Sequence, residues 1–439
     1  KMYATVRLAA GDTDPGAAPR APDAVDANTT AVLQLDLANA YCEVSRQRMF
    51  DTLAGRASAA CPEAGISAGD SLGDRPVPHA ARFIASMYGN ATTFIHHSRD
   101  GQSHKVDNTD GFHQGDVMGS LAFSLATFPC LAGVLAQDME VLGCALVDNN
   151  VLVGPLGNVY AMYDRIRRAL GYLNSRLQPR ECLLHIPSCP HLTSPPPYLL
   201  GLMQQYPQCP VQYRPQGFVL LGLPFGTPEF SASFLTDTKD KIVSTLSPIA
   251  AISDGRIYMQ IMQQCVNLRH LYYIRNLPPL LSAPFAHECD AAIMNAVAEY
   301  LSFPSDWALQ PEYSRAAAQL RLGIKQGGAG LTAGSMSIHS AFYASAAASL
   351  LCCGTTSIRE HADWDTLGVN NPHSSEHSFL RGFHVCREQL ADYGAIKQED
   401  VNGLIPKKNP PPILPAASSL FPEDPFRDDA DLPHIPPQR

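Results

Sequence analysis

Residues 31–41 have the sequence AVLQLDLANAY, and the interpretation of the whole chain starts from them. The run from Ala31 to Leu37 is short and almost continuously apolar, which is typical of a strand buried within a sheet. Asp36 stands near the end of this strand. The residues that follow, from about 39 to 54, have a helix-like pattern. The segment therefore predicts a buried strand that carries an aspartate near its end and leads into a helix.

Strand-like and helix-like stretches are mixed from this point to about residue 226. The hydrophobic spacing predicts further helices over 79–88, from about Gly115 and over 157–173, strands over 92–97, 181–186 and 218–222, a polar loop over 98–112, and a hairpin over 141–154. Asparagine tolerates positive φ, so we place the tip of this hairpin at Asn149 and Asn150.

The pattern becomes helical after about residue 229, with Ala- and Leu-rich stretches and few strand signals. This change predicts an α+β fold followed by an α-helical region. The predicted organisation is an extended N-terminal arm (1–30), an α+β domain (31–226), a helical region (227–351), a mixed helical and loop region (352–400) and a Pro-rich extended tail (401–439).

Composition limits the classes of function. The net charge of −9 counts against strong, sequence-independent binding of nucleic acid, although a local contact through the group of Arg165, Arg167 and Arg168 stays open. The twelve cysteines have no repeating spacing, which favours free thiols and an intracellular compartment. No apolar run is long enough for a membrane span.

Three segments in the same order resemble the palm of reverse transcriptases, most closely the non-LTR retrotransposon type. The first is LDLANAY, residues 35–41, with Ser45 and Arg46 after it. The second is GFHQGDVMGSLAFSL, residues 111–125, and the third is ALVDNNVLVG, residues 145–154. The resemblance covers residues 31–226 well and 226–350 loosely, and it rests on the ordered set rather than on any one motif.

Two weaker matches follow. Residues 170–182, LGYLNSRLQPREC, resemble the next palm element, and residues 221–226, LGLPFG, resemble the segment that leads into the thumb. The resemblance implies a palm built as an antiparallel sheet with helices, then a helical, thumb-like domain and the Pro-rich tail.

The resemblance also implies a chemistry. Palm polymerases use two Mg²⁺ ions, one for the attacking hydroxyl and one for the triphosphate, and carboxylates on adjacent strands hold them. Asp36 and Asp148 stand at those two positions. By the same resemblance, Tyr41 would select the sugar, and Gln114 and Gly115 would approach the incoming nucleotide and the template base.

Three features depart from the family. Asn149 replaces the second aspartate of the hairpin, and Leu146 replaces the aromatic residue before it. Arg180 stands where a lysine is expected, and an arginine holds its proton too tightly to donate it to a leaving group. Residues 1–30 are too few and too poor in basic residues to form the fingers, so we expect fingers to be lacking in this chain.

These departures lead to three hypotheses. The first is a degenerate, non-catalytic palm kept as a structural or RNA-contacting subunit of a large assembly, such as a mitochondrial ribonucleoprotein. The second is an active RNA-directed DNA polymerase, with Mg²⁺ on Asp36 and Asp148 and with fingers supplied elsewhere. The third is a protein–protein scaffold without nucleic acid. Ordinary aspartates at strand ends are the alternative for Asp36 and Asp148 themselves.

Overall fold

The computed structural model describes residues 6, 7, 10, 25–56, 78–113, 115–353 and 378–392. The chain divides into two compact units, formed mainly by Arg20–Pro215 and by Gln216–Pro410. The predicted tail over 401–439 and most of the mixed region over 352–400 lie outside the described residues. The domain boundaries expected from the sequence stay predictions.

The first unit is organised around one sheet with the strand order β4-β5-β1-β7-β8. The predicted strand is confirmed as β1, Thr30–Ala38, and it lies at the centre between β5 and β7. All neighbours pair antiparallel except β7 and β8, and a short β6 pairs with the end of β1. The other strands are β4 (Leu142–Leu146), β5 (Asn149–Pro155), β6 (Arg176–Leu177), β7 (Leu183–His185) and β8 (Gln212–Tyr213).

Within the described part of this unit, six helices accompany the sheet, and the main core of the unit lies between them and the sheet. Leu33 and Leu35 of β1 are fully buried in the same cluster as Val159, Tyr160 and other residues of α5, because alternate residues of a central strand face a helical layer. The helices are α1 (Ala40–Glu43), α2 (Arg46–Leu53), α3 (Pro78–Tyr88), α4 (Gly119–Leu135), α5 (Leu156–Tyr172) and α6 (Pro197–Gln205).

The single helix predicted over 39–54 is wrong, because the chain is extended between α1 and α2. Val44 is fully buried, and its carbonyl oxygen accepts the amide of Gly111 at 3.0 Å. This tertiary contact requires a β conformation at Val44, with ψ of 136°, and that conformation interrupts the helix. Local pattern alone carries no sign of a hydrogen bond to a residue so distant in the chain.

Two further predictions need correction. The polar stretch 98–112 contains a strand, β3 (Ser103–Asn108), which pairs with the predicted β2 (Thr92–His97). The hairpin of β4 and β5 turns at Val147 and Asp148 rather than at Asn149 and Asn150. Both asparagines belong to β5, because β4 and β5 pair through Leu146 and Asn149 and leave only two residues for the turn.

The expectation of free thiols is wrong for one residue, since Cys130 on α4 is disulfide-bonded. Disulfide pairing depends on the distance between Cα atoms in the fold, and scattered spacing in the sequence does not reveal it. Among the described residues, no helix is both long and apolar enough to cross a membrane.

The second unit confirms the predicted change to helical structure. It begins with a two-stranded ribbon, β9 (Gly217–Leu220) and β10 (Leu223–Gly226). Its helices are α7 (Pro228–Ser244), α8 (Leu246–Ala250), α9 (Gly255–Ile261), which continues as one π-helical turn (Met262–Val266), α10 (Leu271–Asn276), α11 (Pro279–Tyr300), α12 (Pro311–Arg321), α13 (Gly334–Cys353) and α14 (Ser378–Asp392).

Part of the predicted N-terminal arm belongs to this unit and is not extended. Val6, Arg7 and Ala10 are helical and buried. Val6 is fully buried and Ala10 nearly so, and burial of apolar side chains favours an ordered conformation over an exposed arm.

A buried carboxylate links three helices of the second unit. Asp290 of α11 accepts the amides of Gly334 and Ser335 at 3.0 and 2.8 Å and the Ser335 hydroxyl at 2.6 Å, at the start of α13. His270 Nε2, just before α10, lies 3.3 Å from Asp290 Oδ1. Burial opposes ionisation of Asp290, but His270 and the hydrogen bonds from Ser335 and Gly334 outweigh it and hold its pKa at about 2.

Candidate functional site

The sheet brings the two predicted aspartates together. Asp36 on β1 stands opposite Asn149 in the antiparallel ladder with β5, and Asp148 precedes Asn149 in the turn. The pKa of Asp36 is raised to about 6, first by burial, then by the charge of Glu181 and then by that of Asp148. The two aspartates therefore lie within electrostatic reach of each other at one edge of the sheet.

The turn that carries Asp148 has an unusual backbone. Val147 has φ of 57°, although a β-branched residue rarely adopts the left-handed region. A two-residue hairpin turn requires positive φ at its first residue, and glycine or asparagine normally stands there. The side-chain amides of Asn149 and Asn150 donate to Asp148 Oδ1 at 3.2 Å and to its backbone oxygen at 3.1 Å. These contacts hold Asp148 in place.

Glu181 is a third carboxylate at this site, and sequence reasoning missed it. Its side chain hydrogen-bonds to that of Asp36. The amide of Gln178 donates to Asp36 O at 2.8 Å, and a 3₁₀ turn over Pro179–Glu181 then returns Glu181 to Asp36. Glu181 directly follows the predicted site residue Arg180. An acidic residue next to a motif position is the signal in the sequence from which Glu181 could have been predicted as a site residue.

Arg180 itself is exposed and belongs to the rim of this site. Its guanidinium forms no ion pair with any residue that the structure describes. Its backbone oxygen accepts the side-chain amide of Gln212 at 2.6 Å, which ties the 3₁₀ turn to β8. The arginine that replaces the expected lysine is thus held through its main chain, with the charged end in solvent.

The donor chemistry of the cluster suits Mg²⁺, but the arrangement does not complete a site. Carboxylate oxygens are the ligands that Mg²⁺ prefers, and Asp36, Asp148 and Glu181 supply them. Within the described ranges, however, no group of three His, Cys, Asp or Glu side chains is placed to hold one metal ion. The side-chain amide of Asn149 also donates a hydrogen bond to one carboxylate oxygen of Asp148, which leaves that oxygen less available to a cation. The described residues therefore do not fit the two-ion site of a palm polymerase.

Tyr41 has a fixed position beside α4. Its hydroxyl is 2.9 Å from Ser120 Oγ, and its ring stacks on Phe123 with the ring centroids 5.1 Å apart. The side chain is only partly buried, so one edge of the ring stays accessible. Tyr41, for which the sequence predicts sugar selection, thus lies on α1 and contacts the helix that contains the end of the second motif.

The loop before α4 is clamped to α2 by Arg46. Arg46 is 4% exposed and donates to Gly111 O at 2.7 Å and to Asn90 O at 3.1 Å, while its amide donates to Asp110 Oδ1 at 2.7 Å. Gly111 has φ of 69°, and a Cβ there would overlap the carbonyl group of Cys42. The arginine after the first motif and the glycine that opens the second motif therefore form one structural unit.

The rest of the second motif is placed less completely. Gly115 is exposed with φ of 87°, and no atom lies within 4 Å of the position where a Cβ would be. Gln114 lies outside the described residues. Asp116 accepts the hydroxyl of Tyr88 and the amide of Met118, and these bonds lower the pKa of its carboxyl. Asp116 thus fastens the end of this loop to α3 and α4.

The arginine group on α5 is largely engaged within the protein. Asp164 pairs with Arg167 at 2.9 Å and with Arg168 at 3.2 Å. Gln208 also donates to Asp164 at 3.1 Å. The local positive charge, for which an RNA contact stayed open, is therefore partly neutralised by a carboxylate one turn away on the same helix.

Comparison with known proteins leaves the family open. No protein-family model and no curated protein sequence matches the chain. Among solved structures it is similar to telomerase from Candida albicans in complex with a TWJ fragment of telomeric RNA, at 13% identity and a TM-score of 0.29. The match covers 66% of this chain and 47% of that chain, so it spans less than half of the telomerase. A TM-score this low supports no argument about fold or function.

Proposed function

We propose that this chain is a degenerate reverse-transcriptase-like palm with a thumb-like helical region, and that it serves as a non-catalytic, RNA-contacting subunit of a larger assembly. The observation that carries the proposal is the pairing of Asp36 with Asn149 across β1 and β5. In the two-ion palm mechanism a second charged ligand belongs beside Asp148, and asparagine supplies a neutral amide there.

Two further features support loss of catalysis. The amide of Asn149 is hydrogen-bonded to Asp148, which leaves that carboxylate with one oxygen fewer for a cation. Arg180 stands where a lysine is expected, and an arginine does not donate its proton to a leaving pyrophosphate at neutral pH. The first change weakens the negative charge available to a metal ion, and the second removes a proton donor for the leaving group. Phosphoryl transfer needs both.

Other parts of the site favour continued contact with nucleic acid. The loop directly before α4 is held in a defined conformation by Arg46, Gly111 and Asp116. Tyr41 keeps its position against Ser120 and Phe123. A purely structural remnant would have no need of a partly exposed aromatic ring beside a pre-organised glycine loop, whereas an RNA-contacting surface uses both.

The decisive experiment is primer extension by the purified chain on an RNA template with Mg²⁺ or Mn²⁺, together with an RNA-binding measurement. We expect RNA binding without extension. Extension that is lost in Asp36→Asn would overturn the non-catalytic assignment. Absence of RNA binding would overturn the RNA-contacting part separately, so the two halves of the proposal are tested independently.

The second candidate is an active RNA-directed DNA polymerase with fingers supplied by another chain or segment and Mg²⁺ on Asp36 and Asp148. The electrostatic proximity of Asp36 and Asp148 favours it. Full cellular function of Asp36→Asn would exclude this candidate.

A role in a mitochondrial ribonucleoprotein is tested by cell fractionation, in which the chain should co-purify with organellar RNA.

The third candidate is a protein scaffold without nucleic acid. The outer side of α4 favours it, because Leu121 and Phe128 are 49% and 52% exposed on a helix that is apolar on nearly all sides, and Val117, just before the helix, is 94% exposed. Crosslinking of the chain to RNA in cells would exclude this candidate.

A further inference from the structure

Among the residues that the structure describes, the ribbon of β2 and β3 has no partner strand. Its two strands pair only with each other, and nearly all of their residues are exposed. A two-stranded ribbon is marginally stable in water unless something packs on it. The side chains of this ribbon therefore show what kind of molecule it is built to meet.

One face of the ribbon is lined with flat rings. Phe94 and His96 of β2 stand opposite Val106 and His104 of β3, and alternation along the strands places all four on one face. The rings of His96 and His104 are stacked, with centroids 6.5 Å apart and an angle of 26° between the planes. Phe94 is 43% exposed. We call Phe94, His96 and His104 the ring face.

The opposite face has a different chemistry. It carries Ile95, which is 58% exposed, and His97, whose ring nitrogen is 2.8 Å from Ser103 Oγ. Ile95 stands opposite Lys105 in the ladder. The two faces of one ribbon therefore differ, and Ile95 offers a matched apolar position on the face where the ring of His97 is hydrogen-bonded to Ser103.

The ring face leads toward the candidate site. Phe94 contacts the ring of His113 with centroids 4.4 Å apart. His113 directly follows Phe112 in the loop that is clamped by Arg46 and continues to Gly115. The rings form a row that begins with the pair His104 and His96, continues with Phe94 and ends at His113. Neighbouring side chains on one face of a strand are about 7 Å apart, about twice the 3.4 Å rise per nucleotide of stacked DNA, so the spacing of Phe94 and His96 along β2 matches that of alternate stacked bases.

The charges of the ribbon favour a phosphate backbone. Arg99 in the turn and Lys105 on β3 form no ion pair with any described residue. The carboxylates of the ribbon have local hydrogen-bond donors, because Asp107 accepts the hydroxyl of Thr93 at 2.6 Å and Asp100 accepts the amide of Gln102 at 3.2 Å. Lys105 and Asp107 lie on the face opposite the ring face, so Arg99 in the turn is the cation that a phosphate backbone on the ring face would meet.

We propose that the ring face of the β2–β3 ribbon is a stacking platform for single-stranded RNA on its way to the loop that contains Gly115. This inference rests on the proposed RNA contact and identifies where that contact is made. Flat rings bind the faces of bases, and those faces are accessible in single strands but covered in a duplex. Arg99 contacts the phosphates at the turn. The platform accepts many sequences, since every base has a face to stack.

The test is fluorescence anisotropy of a labelled, unstructured 12-nucleotide RNA with the full chain at pH 7. Phe94→Ala and the double variant His96→Ala/His104→Ala should each weaken binding about tenfold, in line with the loss of one stacked base. Ile95→Ala, on the opposite face, should change binding less than about twofold. Arg99→Gln should lower the slope of log K against log salt by about one. Unchanged circular dichroism and thermal midpoints show that each variant is folded.

Each outcome has a separate meaning. Equal weakening by Ile95→Ala and Phe94→Ala, or equal affinity for duplex and single strand, would overturn the platform. Normal RNA binding by the ring-face variants would also overturn it while leaving the proposed RNA contact intact. If the wild-type chain binds no RNA, the proposed RNA contact fails and the ribbon is a protein-docking surface instead. Primer extension by the wild-type chain would overturn the non-catalytic assignment and would leave the stacking platform unaffected.

Discussion

Asp36 of β1 and Asn149 of β5 stand directly opposite each other in the antiparallel ladder, and the turn residue Asp148 lies next to them. Across this pair the chain has one carboxylate and one amide where a palm polymerase has carboxylates on both strands. The amide donates to Asp148 and so replaces charge repulsion by a hydrogen bond. A single side-chain atom, nitrogen in place of oxygen, therefore separates this cluster from one with a further negative charge.

Asn149→Asp tests that difference. The new carboxylate adds a negative charge beside Asp36 and Asp148, so we expect the thermal midpoint of unfolding to fall by a few degrees in EDTA. This fall corresponds to a loss of about 1 kcal/mol of unfolding free energy, as expected for a like-charge contact near a surface. Mn²⁺ or Mg²⁺ at millimolar concentration should reverse this fall, because oxygen ligands now surround the cation.

Asn149→Ala is the control for the metal response. It removes the hydrogen bond to Asp148 without adding charge, so its thermal midpoint should not respond to metal more than that of the wild type. An equal metal response in both variants would show that the carboxylate at this position does not create the binding site.

Val147 supports a second prediction. Its φ of 57° is unfavourable for a β-branched residue, and asparagine adopts this region more readily. Val147→Asn should therefore increase the free energy of unfolding by about 1 kcal/mol, measured by urea denaturation. Val147→Thr keeps the β-branch and the strain and should give no increase. A loss of stability in the asparagine variant would mean that the packing of Val147 against the core outweighs its backbone strain.

The sequence predicted what depends on local pattern. The buried run 31–37, the strand 92–97 and the helix 79–88 appear within one residue of their predicted bounds. Burial accompanies the apolar pattern in the first of these, whereas the strand 92–97 is exposed and follows local residue preference alone. The hairpin tip was misplaced by two residues, since Asn149 and Asn150 resemble turn residues while the register places Val147 at positive φ. Glu181 was missed because only the return of the 3₁₀ turn to β1 brings it to Asp36. Tertiary hydrogen bonds, which no local pattern records, account for these differences.

Two glycines give a matched test of the clamp on the loop before α4. Gly111 and Gly101 both have positive φ, at 69° and 82°. A Cβ at Gly111 would overlap the carbonyl of Cys42, whereas no atom lies within 4 Å of a Cβ at Gly101. Gly101→Ala should cost about 1 kcal/mol from backbone strain alone. Gly111→Ala should cost about 3 kcal/mol or more in urea denaturation, because the backbone of α1 must also move.

The clamp also predicts a functional difference between these two variants. If the loop must be held in place for RNA to reach Gly115, Gly111→Ala should weaken RNA binding under conditions where the variant is still folded. Gly101→Ala changes only the ribbon turn and should leave binding within about twofold. Equal stability of the two alanine variants would contradict the close approach of Gly111 to Cys42.

Asp290 predicts how stability depends on pH. Its pKa in the folded chain is about 2, below the ordinary value of 3.8. The folded state therefore holds the ionised carboxylate more strongly than the unfolded state, and the resulting stability is fully present above about pH 4 and is lost as the pH falls toward 2. The difference corresponds to about 2 kcal/mol at pH 6, on a side chain that is only 6% exposed.

Urea denaturation of the full chain between pH 6 and pH 2.5 measures this contribution. Asp290→Asn should be less stable than the wild type at pH 6, and the gap between them should narrow at the acidic end. Ser335→Ala removes the 2.6 Å hydrogen bond from the hydroxyl but keeps the two backbone donors, so it should reduce the acid-dependent part only in part. A gap between wild type and Asp290→Asn that stays constant over the whole range would show that the carboxylate stabilises the start of α13 through its shape rather than its charge.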